Sequence, residues 1–397
     1  MKKYIFAAAL LLLALCAVSC SSEPADPVSG MYQAAELKVS SSTFPAAQFY
    51  PDGAFVRLDR NGKGLFSLGS GKSELSWALD GHEITIECDG FTTAGTLYRE
   101  ALALDSILGT DMDMTFVKAD TPVNDYGKIE VPDGMLGEYS VRFVGADSFT
   151  PQQAEEGESG LNVYLEFTNL SPLTKMCGSV IHLTFYQNGK ELSPAITPKE
   201  TEEYTARTLL VRPGCAVRCA KTAVFRPENG KITVVATAWQ TDPMHCVIAE
   251  FDPAALPGAP SETFEYPGVP EPQWAAGFSP DGDLGSYHVK AAGVDTFPDG
   301  GITLGRLHVS ITNNSAEDMI PYQKIAVRFF QDGIQLPIRA ASSENVVDSD
   351  FLYYEMIRPG EEKDATLTYP LRSMNPVEVE IVDEKGEQVY GGVFPLN

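Results

Sequence analysis

Residues 161–192 read LNVYLEFTNLSPLTKMCGSVIHLTFYQNGKEL, and residues 307–336 answer with LHVSITNNSAEDMIPYQKIAVRFFQDGIQL. Thr168, Asn169, Ser171, Phe185, Gln187, Gly189 and Leu192 recur 144 positions later as Thr312, Asn313, Ser315, Phe329, Gln331, Gly333 and Leu336. Each copy reads as a strand, a polar crossing and a second strand ending in a hairpin turn. The match continues outward. LGEYSVRFVGADSF from Leu136 is echoed by LGSYHVKAAGVDTF from Leu284, and the Arg212-Pro213-Gly214 turn by Arg358-Pro359-Gly360. A repeat of about 115 residues is too long for a solenoid unit, so it reads as a duplicated whole domain.

Within the first copy, Val163, Leu165 and Phe167 share one strand face while Asn162, Tyr164 and Glu166 share the other. Six or so such strands, separated by turn signals and without a convincing amphipathic helix, predict a β-sandwich. The 397 residues allow two to four domains. The expected order is a signal peptide over 1–19 and a tether over 20–29, then a small β-barrel or meander over 30–118 and a linker over 119–133. A first sandwich over 134–252 follows, then a proline-rich linker over 253–283 and a second sandwich over 284–397. The fold class is therefore all-β. In the first domain, Asn61-Gly62 and Asp80-Gly81 close two hairpins; residues 96–104 and 112–118 add further strands. Trp274 and Phe278 in the second linker are placed to dock it onto a neighbouring domain or to present a recognition surface.

Lys2 and Lys3 precede an apolar run from Tyr4 to Val18, too short for a permanent membrane span, followed by small residues up to Cys20. Ala17-Val18-Ser19-Cys20 resembles the lipobox of bacterial lipoproteins, with Ala17 where leucine is more usual. The resemblance implies a Cys20 thiol acylated with diacylglycerol and a mature protein anchored on the outer face of the cell membrane. The net charge of −25 disfavours nucleic acid and anionic headgroups as electrostatic partners.

Beyond Cys20, Cys88, Cys177, Cys215, Cys219 and Cys246 remain. The second copy has Pro321, Glu361 and Ala365 opposite Cys177, Cys215 and Cys219, so the fold does not need them. Cys215 and Cys219 read as one strand face, roughly 13 Å apart and too far to bridge each other. Pairing with Cys177 or Cys246 is open, since connectivity cannot be read from spacing. Zinc would require CxxC-type spacing or paired histidines, and His245-Cys246 alone comes near it, so no metal or other cofactor is expected.

In the first domain, the succession of Gly30-Met31-Tyr32, LDRNGKG from Leu58, Trp77-x-x-Asp80-Gly81-x-x-Ile84-x-Ile86, Gly95-Thr96-Leu97 and MTFVK from Met114 resembles a small β-barrel module of Gram-positive surface lipoproteins. Gly-x-Tyr-x-Val at Gly137 and Gly285, the Thr-Asn-x-Ser and Phe-x-Gln-[Asn/Asp]-Gly segments and Arg-Pro-Gly resemble the immunoglobulin-like domains of unknown function in Firmicutes lipoproteins. That set is similar to the extracellular immunoprotective-antigen superfamily. The resemblance implies binding or spacer modules and carries no catalytic residue.

Chemistry-bearing motifs are few. Gly69-Ser70-Gly71-Lys72-Ser73 lacks the first glycine of a phosphate loop and precedes a strand pattern. Asp59-Arg60-Asn61-Gly62 has Lys63 where a calcium loop needs a ligand. His82, His182, His245, His288 and His308 lie in or beside predicted strands without a nucleophile motif, and Asp281-Gly282-Asp283 reads as a turn. These observations predict a non-enzymatic, lipid-anchored binding or spacer protein with an unknown protein or small-molecule partner. The alternatives are a small-ligand carrier using the first domain as a cup and a cell-wall-directed hydrolase.

Overall fold

Strand alternation decides the local structure throughout, and a computed structural model of the chain describes residues 28–40, 42–197, 201–239, 241–262, 264, 281–385 and 389–396. The segment expected as a signal peptide, Cys20, Trp274 and Phe278 lie outside the described residues. By contact the chain divides into two compact units, residues 1–129 and 130–397.

In the first unit, eight antiparallel strands run in sequence order from Gly30–Val39 through Ala54–Leu58, Lys63–Leu68, Gly71–Asp80, Glu83–Cys88, Phe91–Tyr98 and Ala101–Leu104 to Met112–Lys118. The last pairs with the first, from Tyr32↔Lys118 to Val39↔Met112, and this closure removes both open edges of a barrel. Short alternating strands such as Ala54–Leu58 bury every second residue. Tyr32, Phe66, Met114 and Phe116 fill the barrel's core, and Phe66 and Phe116 meet edge to face. The expectation of one strand over residues 96–104 is corrected. Arg99 takes a positive φ of 52° and turns the chain, so Phe91–Tyr98 and Ala101–Leu104 form a hairpin.

The second unit contains the duplicated sandwiches. In the first copy, a sheet ordered Met135–Leu136, Tyr139–Phe149, Ser159–Asn169, Ala216–Phe225 faces one ordered Asp242–Phe251, Ile232–Ala238, Ile181–Gln187, Lys190–Glu191. The second copy repeats both orders: Asp281–Leu284, Tyr287–Asp299, Ile302–Asn313, Glu362–Pro370, and Val389–Phe394, Val377–Asp383, Ile325–Gln331, Ile334–Leu336. Even the irregularities recur, with register shifts at Phe143/Gly145 and Ala291/Gly293. The Leu-Gly-x-Tyr turns use Gly137 and Gly285 at φ 58° and 59°, a region that L side chains avoid.

The shared motif residues stitch the copies internally. Asn169 is fully buried; its amide donates to the carbonyls of Leu173 and Val211, and its Oδ1 accepts from Ser171 N–H and hydroxyl. Asn313 does the same with Glu317, Ile357 and Ser315. Gln187 and Gln331 tie the hairpin after their strand to a distant loop, Gln187 through Arg226 and Gly230, Gln331 through Ser373 and Asn375. The recurrence of these residues is thus a requirement of buried backbone satisfaction.

Two segments depart from the sequence reading. Asp281-Gly282-Asp283, expected as a turn, lies in an edge strand pairing with Tyr287–Lys290, and the Gly282 Cα abuts the Tyr390 ring. Cys215, expected in a strand with Cys219, sits in the Arg212-Pro213-Gly214 turn, its N–H bonded to the Arg212 carbonyl. Part of the proline-rich linker is a strap along the first sandwich: Gly258 pairs with Ala146, and Arg218 donates to the Glu262 carbonyl.

The two sandwiches share a sheet. Leu210–Val211 of the first pairs at Val211↔Ile334 with the hairpin strand of the second, and Ile334 is buried in the first sandwich's core. Arg212 crosses the junction, 3.1 Å from Glu378 and 2.9 Å from Glu380, with its guanidinium 4.1 Å from the Phe330 ring centroid. One oxygen of Glu378, Oε1, is buried without a hydrogen bond. Burial pushes the Glu378 carboxyl from its ordinary 4.5 up to about 6, against the opposing pull of Arg212. Because the folded state holds this proton more tightly, Glu378 contributes stability below about pH 4.5 that is lost as pH rises through 6, about 2 kcal/mol in all. Urea melts between pH 4 and 7.5 should show this loss in the native chain and a flatter profile in Glu378→Gln; equal slopes in the two would refute the assignment.

Candidate functional site

The first sandwich carries an inward-facing lysine. Along Ala216–Phe225 the core positions are Val217, Cys219, Ala223 and Phe225, and Lys221 occupies the same face between Cys219 and Ala223. Its ammonium reaches the Leu183 carbonyl at 2.6 Å. Around it, Cys177, Gly178, Ile181, His182, Leu183, Arg207 and Trp239 line a pocket of about 180 Å³.

Three elements set these groups in place. The short turn Cys177–Val180 is held by Gly178 N–H on the Arg207 carbonyl, and an added Cβ at Gly178 would press on that oxygen at 3.0 Å. Arg207 caps the helix Glu202–Ala206, whose N-cap Thr201 side chain accepts from Tyr204 N–H. Trp239 ends Ile232–Ala238; it is 63% exposed, with its ring centroid 5.8 Å from that of His182.

The electrostatics are those of crowded cations. Burial, then the charge of Arg207, lowers the Lys221 pKa from its ordinary value; desolvation, then Lys221, lowers that of His182. Glu191, exposed to solvent, is the acid that opposes both shifts. Among the described residues Arg207 has no ion-pair or hydrogen-bond partner for its guanidinium. In a chain with 54 acidic against 29 basic residues, a half-buried pair of cations with this little compensation is an unusual arrangement.

The second copy fills the same place. Tyr353 stands where Arg207 does; its buried hydroxyl donates to the Ile325 carbonyl, and Leu367 replaces Lys221 in the core. Ala326 replaces His182 and Glu384 replaces Trp239. One duplicated frame thus has a plugged version and an open, cationic one.

Cys177 and Cys219 meet behind the pocket, their thiols within hydrogen-bonding reach, and burial pushes the Cys219 thiol well above its ordinary value. All five described cysteines are buried and none is joined in a disulfide. His245, His288 and His308 are not among the residues lining the pocket. His245 is fully buried, 2.6 Å from Asp242, which also accepts from Gly137 N–H and so ties the Leu136–Tyr139 turn to the neighbouring strand. His288 bridges Asp281 and Asp283, and His308 pairs with Asp295. Among the described residues no three metal-ligating side chains converge.

Sequence reasoning missed the pocket, although one signal was present: Lys221 interrupts an alternating apolar face whose counterpart in the second copy is Leu367. Residues 278–383 match a sequence family described as Domain of unknown function (DUF5067), a span that takes in most of the second sandwich. No curated protein matches the chain.

Proposed function

We propose that this is a non-enzymatic binding protein of the bacterial cell surface, anchored through a lipidated Cys20, whose first sandwich receives a ligand and whose second acts as a frame. One observation carries the reading: the two copies share fold, turns and buried stitching, yet differ at the pocket where Arg207, Lys221, His182 and Trp239 replace Tyr353, Leu367, Ala326 and Glu384. On one shared scaffold these differences leave a cationic cavity in the first copy and core side chains in the second, which suits the first copy to a ligand. The motif residues bond to backbone groups rather than converging on a reactive centre, which favours binding over catalysis. A carrier function in the first domain has less support, because Tyr32, Phe66, Met114 and Phe116 occupy its core.

The test is mass spectrometry of the mature N-terminus from a Gram-positive host expressing the full chain, combined with protease shaving of intact cells. A diacylglyceryl group on Cys20 and release of the sandwiches by external protease are expected. An unmodified N-terminus retained inside the cell would reject the reading.

A further inference from the structure

We infer that the pocket of the first sandwich binds a small anion, a carboxylate or an inorganic oxyanion, between the Arg207 guanidinium and the Lys221 ammonium, with the Trp239 ring against its organic part. The inference rests on the proposed binding role of this sandwich and names the chemistry of the ligand. At roughly 30 Å³ per water molecule, the cavity of about 180 Å³ holds about six waters, too little for a drug-sized ligand and enough for a small acid.

Charge selects the ligand. Lys221 lines the pocket and is held on the core face of its strand by the Leu183 carbonyl, which uses one of its three donors and leaves two for a ligand. Arg207 offers a planar fork suited to two oxygens of one carboxylate or phosphate. Burial and then the Arg207 charge lower the Lys221 pKa, and an anion between the two cations offsets that repulsion. The acids that answer cations elsewhere in this unit, such as Glu166 with Arg142 and Arg218, or Glu155 and Glu158 with Arg226, have no counterpart at Arg207 among the described residues. Trp239 adds an exposed aromatic face at the rim, where a ring or short alkyl group can pack.

The experiment uses the chain without its leader, residues 21–397, labelled with ¹⁵N. The three tryptophan indole signals are assigned by Trp239→Phe, and the protein is titrated with phosphate, acetate, benzoate, benzamide and benzylamine. Benzoate should shift the Trp239 indole, benzamide and benzylamine should not, and Arg207→Gln should weaken benzoate at least tenfold while keeping the native melting temperature. Phosphate shifting the signal with benzoate silent would support the anion site and assign it to inorganic oxyanions. Benzoate active with phosphate silent would support it and assign it to organic acids. Binding of benzamide as tight as that of benzoate would overturn the anion inference while leaving the pocket a binding site. Silence across the whole panel would overturn both. Lys221→Met supplies a second test by the same titration, with circular dichroism reporting its fold.

Discussion

Asn169→Leu is expected to cost the second compact unit about 4 kcal/mol, at roughly 1 kcal/mol for each of four hydrogen bonds lost inside a fully buried site. Leucine matches the volume, so packing is nearly conserved. The loss comes from the orphaned Val211 carbonyl and Ser171 N–H in a buried site, while the Leu173 carbonyl keeps only the Ser171 hydroxyl. Because Val211 also pairs with Ile334 where the two sandwiches join, the damage should spread to their junction. Urea unfolding measures this, with the exposed Asn229→Leu as control. Asn313→Leu should cost a similar amount, since its partners repeat those of Asn169. A midpoint change equivalent to less than about 1 kcal/mol would show that the buried stitching is not what holds the repeat.

Arg212→Met should have an effect of comparable size by a different route. Arg212 is the cation between Glu378 and Glu380, whose side chains are only 10% exposed. Its removal leaves two carboxylates in a poorly solvated junction, and breaking a buried pair in this way costs about 3–5 kcal/mol. Arg328 compensates little: it lies 3.8 Å from Glu380 and is 39% exposed. The cation–π contact with Phe330 is lost as well. Calorimetry of the substituted chain should show the two sandwiches separating into distinct transitions. The triple variant Arg212→Met, Glu378→Gln, Glu380→Gln should recover most of the loss, since uncompensated charge is its cause. Failure of that rescue would mean the junction depends on packing around Ile334 instead.

The amino-acid sequence by itself determined the duplication, the all-β class and most strand cores. Alternation and turn chemistry act within a few residues, and both survive reading without coordinates: Asn188-Gly189 and Asp332-Gly333 adopt the positive φ values their residue types predict. It also exposed the recurring Asn169, Gln187 and Arg212-Pro213-Gly214, though not their purpose, because their partners lie about forty positions away along the chain. The break at Arg99 was invisible because no glycine marks the Arg99-Glu100 turn, and the edge strand at Asp281–Leu284 because its acids and glycine mimic a loop. Only the tertiary structure decided that the barrel closes, that Val211 and Ile334 fuse the sandwiches, and that Arg207, Lys221 and Trp239 surround one cavity. Those are meetings between segments remote in sequence. They depend on how two sheets stack and which side chain fills the gap, and no local pattern of residues encodes that geometry.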